Sequence, residues 1–298
     1  MFKNAVVGID GASGGRDGIA LAARLIDADG GLTLAHVHPG MLLLTHAVAP
    51  GLVRDEREAT ERLLERERAD AGVEAQLVSI ESLSPGRGLH EQAEGQGADL
   101  LVVGSCSHGA LGRAALGDDT RAALNGASCA VAIAARGYAE KPKALAKIGV
   151  AYNGSAESLA ALEVAREIAA ASGASVHALE VVSIPTVAYT GVVAPALGAS
   201  IDTMLDEANE RMQGLADVEG RAAYGLVGEE LAAFGDEVDL LVVGSRGYGP
   251  FKRLVLGSTS DYLERHARCS LLVLPRSENR GKDAANAGAR QAEAPAVA

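Results

Sequence analysis

Short apolar runs alternate along this chain with longer stretches whose apolar residues recur at helical spacing. Ala5–Asp10, Leu32–Val37, Glu74–Ile80, Asp99–Val103 and Cys129–Ala134 read as strands. Between them, Gly15–Ala28, Leu52–Ala71 and Gly86–Glu94 read as helices, the second with one apolar stripe in a Glu- and Arg-rich background. His38–Gly51 reads as a long, unusually apolar loop. Gly104–Gly117 reads as a glycine-containing loop, followed by a helix to about Asn125. Runs apolar at every position, such as Leu100-Leu101-Val102-Val103, suit strands buried on both faces of a sheet. Strands alternating with helices predict a parallel α/β sheet with right-handed crossovers.

The pattern then starts again. Ile148–Asn153 repeats the first strand and Gly154–Ala171 the first helix. Ser175–Val182 is the second strand, Ser183–Gly198 another long apolar loop, and Ser200–Gly214 the helix after it. Val218–Tyr224 is a weaker third strand. Asp239-Leu-Leu-Val-Val-Gly-Ser repeats Asp99-Leu-Leu-Val-Val-Gly-Ser letter for letter, and Cys269–Leu274 repeats Cys129–Ala134. A repeat of this length is a duplicated domain rather than a solenoid unit. We expect one domain over 1–137, a second over 145–276, and a join at Arg136–Ala146 containing Lys141-Pro142-Lys143. The tail, 277–298, is rich in Ala, Gly, Asn and charge and is expected to be disordered.

Composition changes this picture little. The 298 residues are 48% hydrophobic and 22% charged, with aromatics at 3% and no Trp, so two cores must pack on Ala, Val and Leu. A formal net charge of -12 argues against nucleic acid or an anionic membrane as the main partner. Cys106, Cys129 and Cys269 form no CxxC; Cys129 and Cys269 read as small core residues and Cys106 as a loop residue. With no signal-peptide pattern at the N-terminus and no apolar run of membrane-spanning length, a reducing cytoplasm is the expected compartment.

The candidate chemistry lies in Leu240–Ser260. An apolar strand leads through Gly244, Gly247 and Gly249 to Gly257-Ser258-Thr259-Ser260, just before a helix-like stretch, Asp261–His266. Glycines let a backbone approach a ligand. Hydroxyls at a helix N-terminus stand beside unpaired N–H groups, where the dipole favours an anion. The stretch therefore reads either as an anion cradle or as a tight loop with a Ser cap. Gly244-x-x-Gly247, nine residues, then Gly257-Ser258 resembles the nucleotide-binding signature of the ATP-binding universal stress proteins, and the repeated layout resembles that family over nearly the whole chain except the tail.

The resemblance implies two open five-stranded parallel sheets of strand order 3-2-1-4-5, with helices on both faces. Such an order puts a topological switch point between strands 1 and 4. Asn153 and Gly244 would meet there in the second half, Asp10 and Gly104 in the first. It implies ATP, with magnesium as a companion, held by Asn153, Val181, Gly244, Arg246, Gly247, Gly257, Ser258, Thr259 and Ser260. In the first half Asp10, Val37, Gly104 and Gly117 are the counterparts, but Ser107 replaces the second glycine and Asp118 and Asp119 replace the hydroxyls. An Asp caps a helix well and also repels phosphate, by about 4 kcal/mol for unit charges roughly 4 Å apart at an intermediate dielectric. We therefore expect a degenerate first site. Asn153 departs from the family's Asp, which Asp10 retains.

No catalytic residues and no metal site are expected. The seven His are scattered; His36 and His38 are read as facing opposite ways along a strand end, and Ser13 has no visible triad partner. The expected function is an ATP-binding stress sensor or regulator. The alternatives are a non-nucleotide dimerisation scaffold of the same fold or a slow ATPase. The last strands of the two halves, Cys129–Ala134 and Cys269–Leu274, are expected to pair as an intramolecular pseudo-dimer, with a homodimer of chains as a further partner to test.

Overall fold

The computed structural model describes residues 1–38, 50–105, 125–140, 144–183, 195–245, 254 and 257–275, with side chains omitted for 50–54 and 195–200. Most of the apolar and glycine-rich loops, Cys106, the helix expected to end near Asn125, Lys141-Pro142-Lys143 and the tail lie outside the described residues.

In the first half, β1 (Phe2–Gly8), α1 (Ser13–Leu25), β2 (Ile26–His38), α2 (Pro50–Ala71), β3 (Gln76–Glu81), α3 (Pro85–Gly95), β4 (Leu100–Gly104) and β5 (Ala130–Ala134) follow in order. The second half runs β6 (Lys147–Tyr152), α4 (Ala156–Ser172), β7 (Ser175–Val182), α5 (Pro195–Gln213), β8 (Glu219–Tyr224), α6 (Val227–Phe234), β9 (Leu240–Gly244), α7 (Ser258–His266) and β10 (Ser270–Leu274). All ten strands belong to one sheet, β3-β2-β1-β4-β5-β10-β9-β6-β7-β8. Each half thus keeps the order 3-2-1-4-5, and the two five-stranded sheets are joined into one continuous sheet. Its two halves join where β5 and β10 pair antiparallel, Ala132 opposite Leu272; every other pairing is parallel. The reason is edge chemistry. Each is a five-residue strand buried throughout, and an unpaired apolar edge would leave a row of open backbone groups.

Two apolar layers sandwich the sheet. One, with Ile19, Leu21, Leu64, Leu162 and Met212, lies under α1, α2, α4 and α5. The other, with Leu89, Leu231, Phe234 and Leu263, lies under α3, α6 and α7. The free thiols Cys129 and Cys269 sit in the second layer, where burial pushes them up to about 11 and about 12. The join is fixed by Asp17 of α1, whose buried carboxylate accepts from the Gly137 and Ala139 N–H groups at 2.8 and 2.7 Å.

Three sequence readings need correction. The first helix ends at Leu25 and β2 begins at once with Ile26, not Leu32; its early part pairs Ile26 with Phe2 and then bulges. Helix α6 was not foreseen, because its eight residues carry no side-chain cap and too little length for a periodic signal. His36 and His38 share a face, since residues two apart on a strand point the same way, and their rings stack with centroids 6.5 Å apart.

Candidate functional site

At the carboxyl end of the second half, where β6 lies between β9 and β7, the sheet opens into a cavity of about 500 Å³. Its first wall is the turn out of β6. Gly154 takes a positive φ of 74°, a conformation that favours glycine. The Asn153 Oδ1 accepts from the Ser155 N–H at 3.1 Å, and Ser155 Oγ caps α4 by accepting from the Ser158 N–H at 3.2 Å. The Ser158 hydroxyl donates back to the Ser155 carbonyl at 2.9 Å. Only an oxygen can accept the Ser155 N–H, so the Asn153 amide is oriented by the turn and presents its NH₂ away from it.

The second wall is the start of α7. Gly257 is its N-cap, extended at φ −82° and ψ 168°, and as a glycine it supplies no side-chain cap. The first N–H groups of a helix have no intrahelical partner. Here they open beside Thr259 and Ser260, both of which line the cavity. Leu179, Val181, Val227, Leu231 and Val243 make the apolar side, and Tyr152 and Glu157 add polar groups. Burial, followed by the charge of Glu180, raises the Tyr152 phenol above its ordinary value.

Six of the nine residues named from the sequence therefore line one cavity: Asn153, Val181, Gly244, Gly257, Thr259 and Ser260. Ser258 is exposed and is not part of the lining. Arg246 and Gly247 lie outside the described residues. The sequence reading missed Ser155, Glu157 and Ser158, which the Asn-Gly-Ser-x-x-Ser stretch signals as a turn feeding a capped helix. It missed Val227 and Leu231 because it missed α6.

Gly244 serves packing. A Cβ there would meet the Glu157 Cβ and carbonyl oxygen at 2.8 Å, so the glycine lets the first turn of α4 rest on the end of β9. Gly104 does the same in the first half, against the backbone of Gly14. At that end Asp10 repeats the Asn153 turn, its Oδ1 accepting from the Ala12 N–H at 2.9 Å after Gly11 at φ 78°. Val37 is half-buried against the α3 layer. Gly117, Asp118, Asp119 and Ser107 lie outside the described residues. Among the described residues no three His, Cys, Asp or Glu side chains converge as a metal group, and no helix is long and apolar enough to cross a membrane.

The profile of the Universal stress protein family matches residues 1–135 and again 145–275. The chain belongs to that family, as a tandem of two such domains. Solved structures agree on the fold. A universal stress protein from Archaeoglobus fulgidus DSM 4304 is 18% identical, covers 92% of this chain and 98% of its own, and superimposes with a TM-score of 0.63. A universal stress protein from Pseudomonas aeruginosa UCBPP-PA14 is 18% identical over 97% of this chain and 98% of its own, with a TM-score of 0.61. A functionally unknown protein from P. aeruginosa PAO1 is 18% identical over the same shares, with a TM-score of 0.60.

Proposed function

We propose that the second half of this universal stress protein binds ATP as its magnesium complex, and that the chain is a cytoplasmic, nucleotide-responsive regulator. The observation that carries this reading is the cavity at the β6–β9 switch point. There a helix N-terminus with a glycine at its N-cap, and with Thr259 and Ser260 beside it, stands across from the Asn153 turn, with an apolar wall between. Open α/β sheets bind ligands at such points, and helix N-termini favour anions. The apolar wall suits a base; the NH₂ of Asn153 suits an acceptor on the base or ribose. Glu157 is the charged side chain among the described lining residues. A carboxylate opposes a free triphosphate, which favours entry with the cation already bound.

Calorimetric titration of the purified chain with ATP should give about one site, with heat reduced when magnesium is withheld. Gly257→Asp should abolish binding, because it places a carboxylate on the N–H groups a phosphate would use. A folded chain giving no heat with ATP would leave the scaffold reading standing. Two equal sites would overturn the asymmetry between the halves.

A further inference from the structure

We propose that Ser79, His38 and Glu56 form a second, separate site: a serine nucleophile with its base and orienting acid, able to take up and hydrolyse small acyl esters. It lies in the first half, on the sheet face covered by α2, and does not rest on the nucleotide reading. The Ser79 hydroxyl on β3 and the His38 Nε2 on β2 are 2.9 Å apart. On the far side of the ring the Glu56 Oε1 of α2 lies 3.8 Å from the Nδ1. That Nδ1 is buried and has no hydrogen-bond partner, while the His38 side chain as a whole is 14% exposed. A carboxylate on the Nδ1 side selects the tautomer with its proton there, leaving Nε2 to accept from the serine. Nucleophile, base and orienting acid in this order define an activated serine, and the outer contact commonly stands long before a substrate binds. His36 lies nearly parallel to His38, at 16°, and is itself tied through Nδ1 to the Ile9 carbonyl at 2.6 Å.

Access and a donor come from the sheet edge. β3 is the last strand of the sheet, and Ser79 is exposed. The Ser82 N–H donates to the His38 carbonyl at 2.9 Å, so even-numbered residues of β3 bond to β2. Strand alternation then turns the Ser79 N–H to the open edge, beside its own Oγ, where it can meet an ester oxyanion. In the first step the Ser79 Oγ bonds to the acyl carbon and its proton passes to His38 Nε2. The ester C–O bond breaks, and that proton leaves on the alcohol. Water then repeats the relay on the acyl-serine, giving the carboxylic acid and free Ser79.

The test uses the full chain, a fluorophosphonate probe and mass-spectrometric mapping of the adduct. The adduct should sit on Ser79 and disappear in Ser79→Ala. His38→Gln should react at least about 100-fold more slowly, the lower end of a general base's contribution. Glu56→Gln should slow labelling and Glu56→Asp should restore part of it, which a merely structural role would not do. p-Nitrophenyl acetate hydrolysis should follow the same order. Circular dichroism checks the fold, and His38→Asn replaces His38→Gln if that variant unfolds. No adduct, an adduct at another residue, or labelling that is unchanged without the imidazole overturns the site.

Discussion

Gly244 shows how one residue can carry a reason that its spacing does not reveal. Its spacing from Gly257 is visible in the chain, but spacing cannot tell a glycine that yields to a ligand from one that yields to a helix. The structure shows the helix contact, through the 2.8 Å approach a Cβ would make to Glu157, at a residue that also lines the cavity. Gly244→Ala should therefore destabilise the second half by about 1–3 kcal/mol, the usual range for overpacking. The loss should appear in urea unfolding without any nucleotide present; unchanged stability would mean that α4 can move aside. Asn153 was legible as a departure from Asp10, yet its consequence was not. Both residues give one oxygen to the same turn, so the substitution leaves the backbone alone and changes only the outward group, from an anionic acceptor to a neutral donor.

At the scale of elements, the sequence signal was clear where one period dominated and failed where two met. The Leu-Leu-Val-Val-Gly strands β4 and β9 are buried at four successive positions, and no amphipathic helix carries that pattern. The opening of β2 was missed because Asp27, Asp29, Gly30 and Gly31 are poor strand formers, held by pairing with β1 across a bulge. The candidate site was legible through its glycines and hydroxyls, and illegible where α6 supplies the wall. The pairing of β5 with β10 was anticipated from their short apolar character, and it defines a test. Leu272 lies in β10 between β9 and β5, so a proline there removes a ladder donor whichever neighbour it served. Leu272→Pro should lower the melting temperature and loosen the chain in small-angle scattering. Unchanged compactness and stability would show that the joint contributes little.

The whole molecule is two copies of one plan fused along that antiparallel joint. The inner edges β5 and β10 close on each other inside one chain, so a homodimer would need another surface. Asp17 locks the fusion from outside the sheet, and its counterpart in the second half is Ala160, so the duplication has been broken at this point. Burial pushes the Asp17 carboxyl up, ahead of its two N–H bonds, which pull it down. A carboxyl raised on folding binds its proton more tightly in the native state. Its stabilising share is complete below the unfolded value of about 3.9 and declines as pH rises through the raised native value. Asp17→Ala should cost about 1–3 kcal/mol from the half-buried N–H groups it orphans. The gap to the parent protein in denaturant melts should be widest in acid and narrow toward neutrality. A gap that widens with rising pH would show that the N–H bonds, not burial, control this carboxyl.

Because β5 and β10 run antiparallel, the carboxyl rims of the two halves face opposite ends of the sheet, and a ligand in one does not crowd the other. That separation makes it possible to test the two halves independently, and with them the proposal that the first does not take a nucleotide. Asp10 keeps its turn there, and Gly104 seats α1 as Gly244 seats α4. What differs in the sequence is Ser107 for glycine and Asp118-Asp119 for Ser258-Thr259. If carboxylates hold the anion position, then Ser107→Gly with Asp118→Ser and Asp119→Thr should open it. Removing two negative charges beside a triphosphate relieves repulsion on the order of several kcal/mol at an intermediate dielectric. A serine keeps the helix capped, so stability should fall by less than about 1 kcal/mol. Titration of the triple variant should then show a second ATP site whose affinity falls as salt rises, as a charge-controlled site must. A variant that folds normally and still takes one ATP would assign the closure to shape instead. The contact of Gly104 with Gly14, which brings α1 directly onto the end of β4, would then be the first place to look.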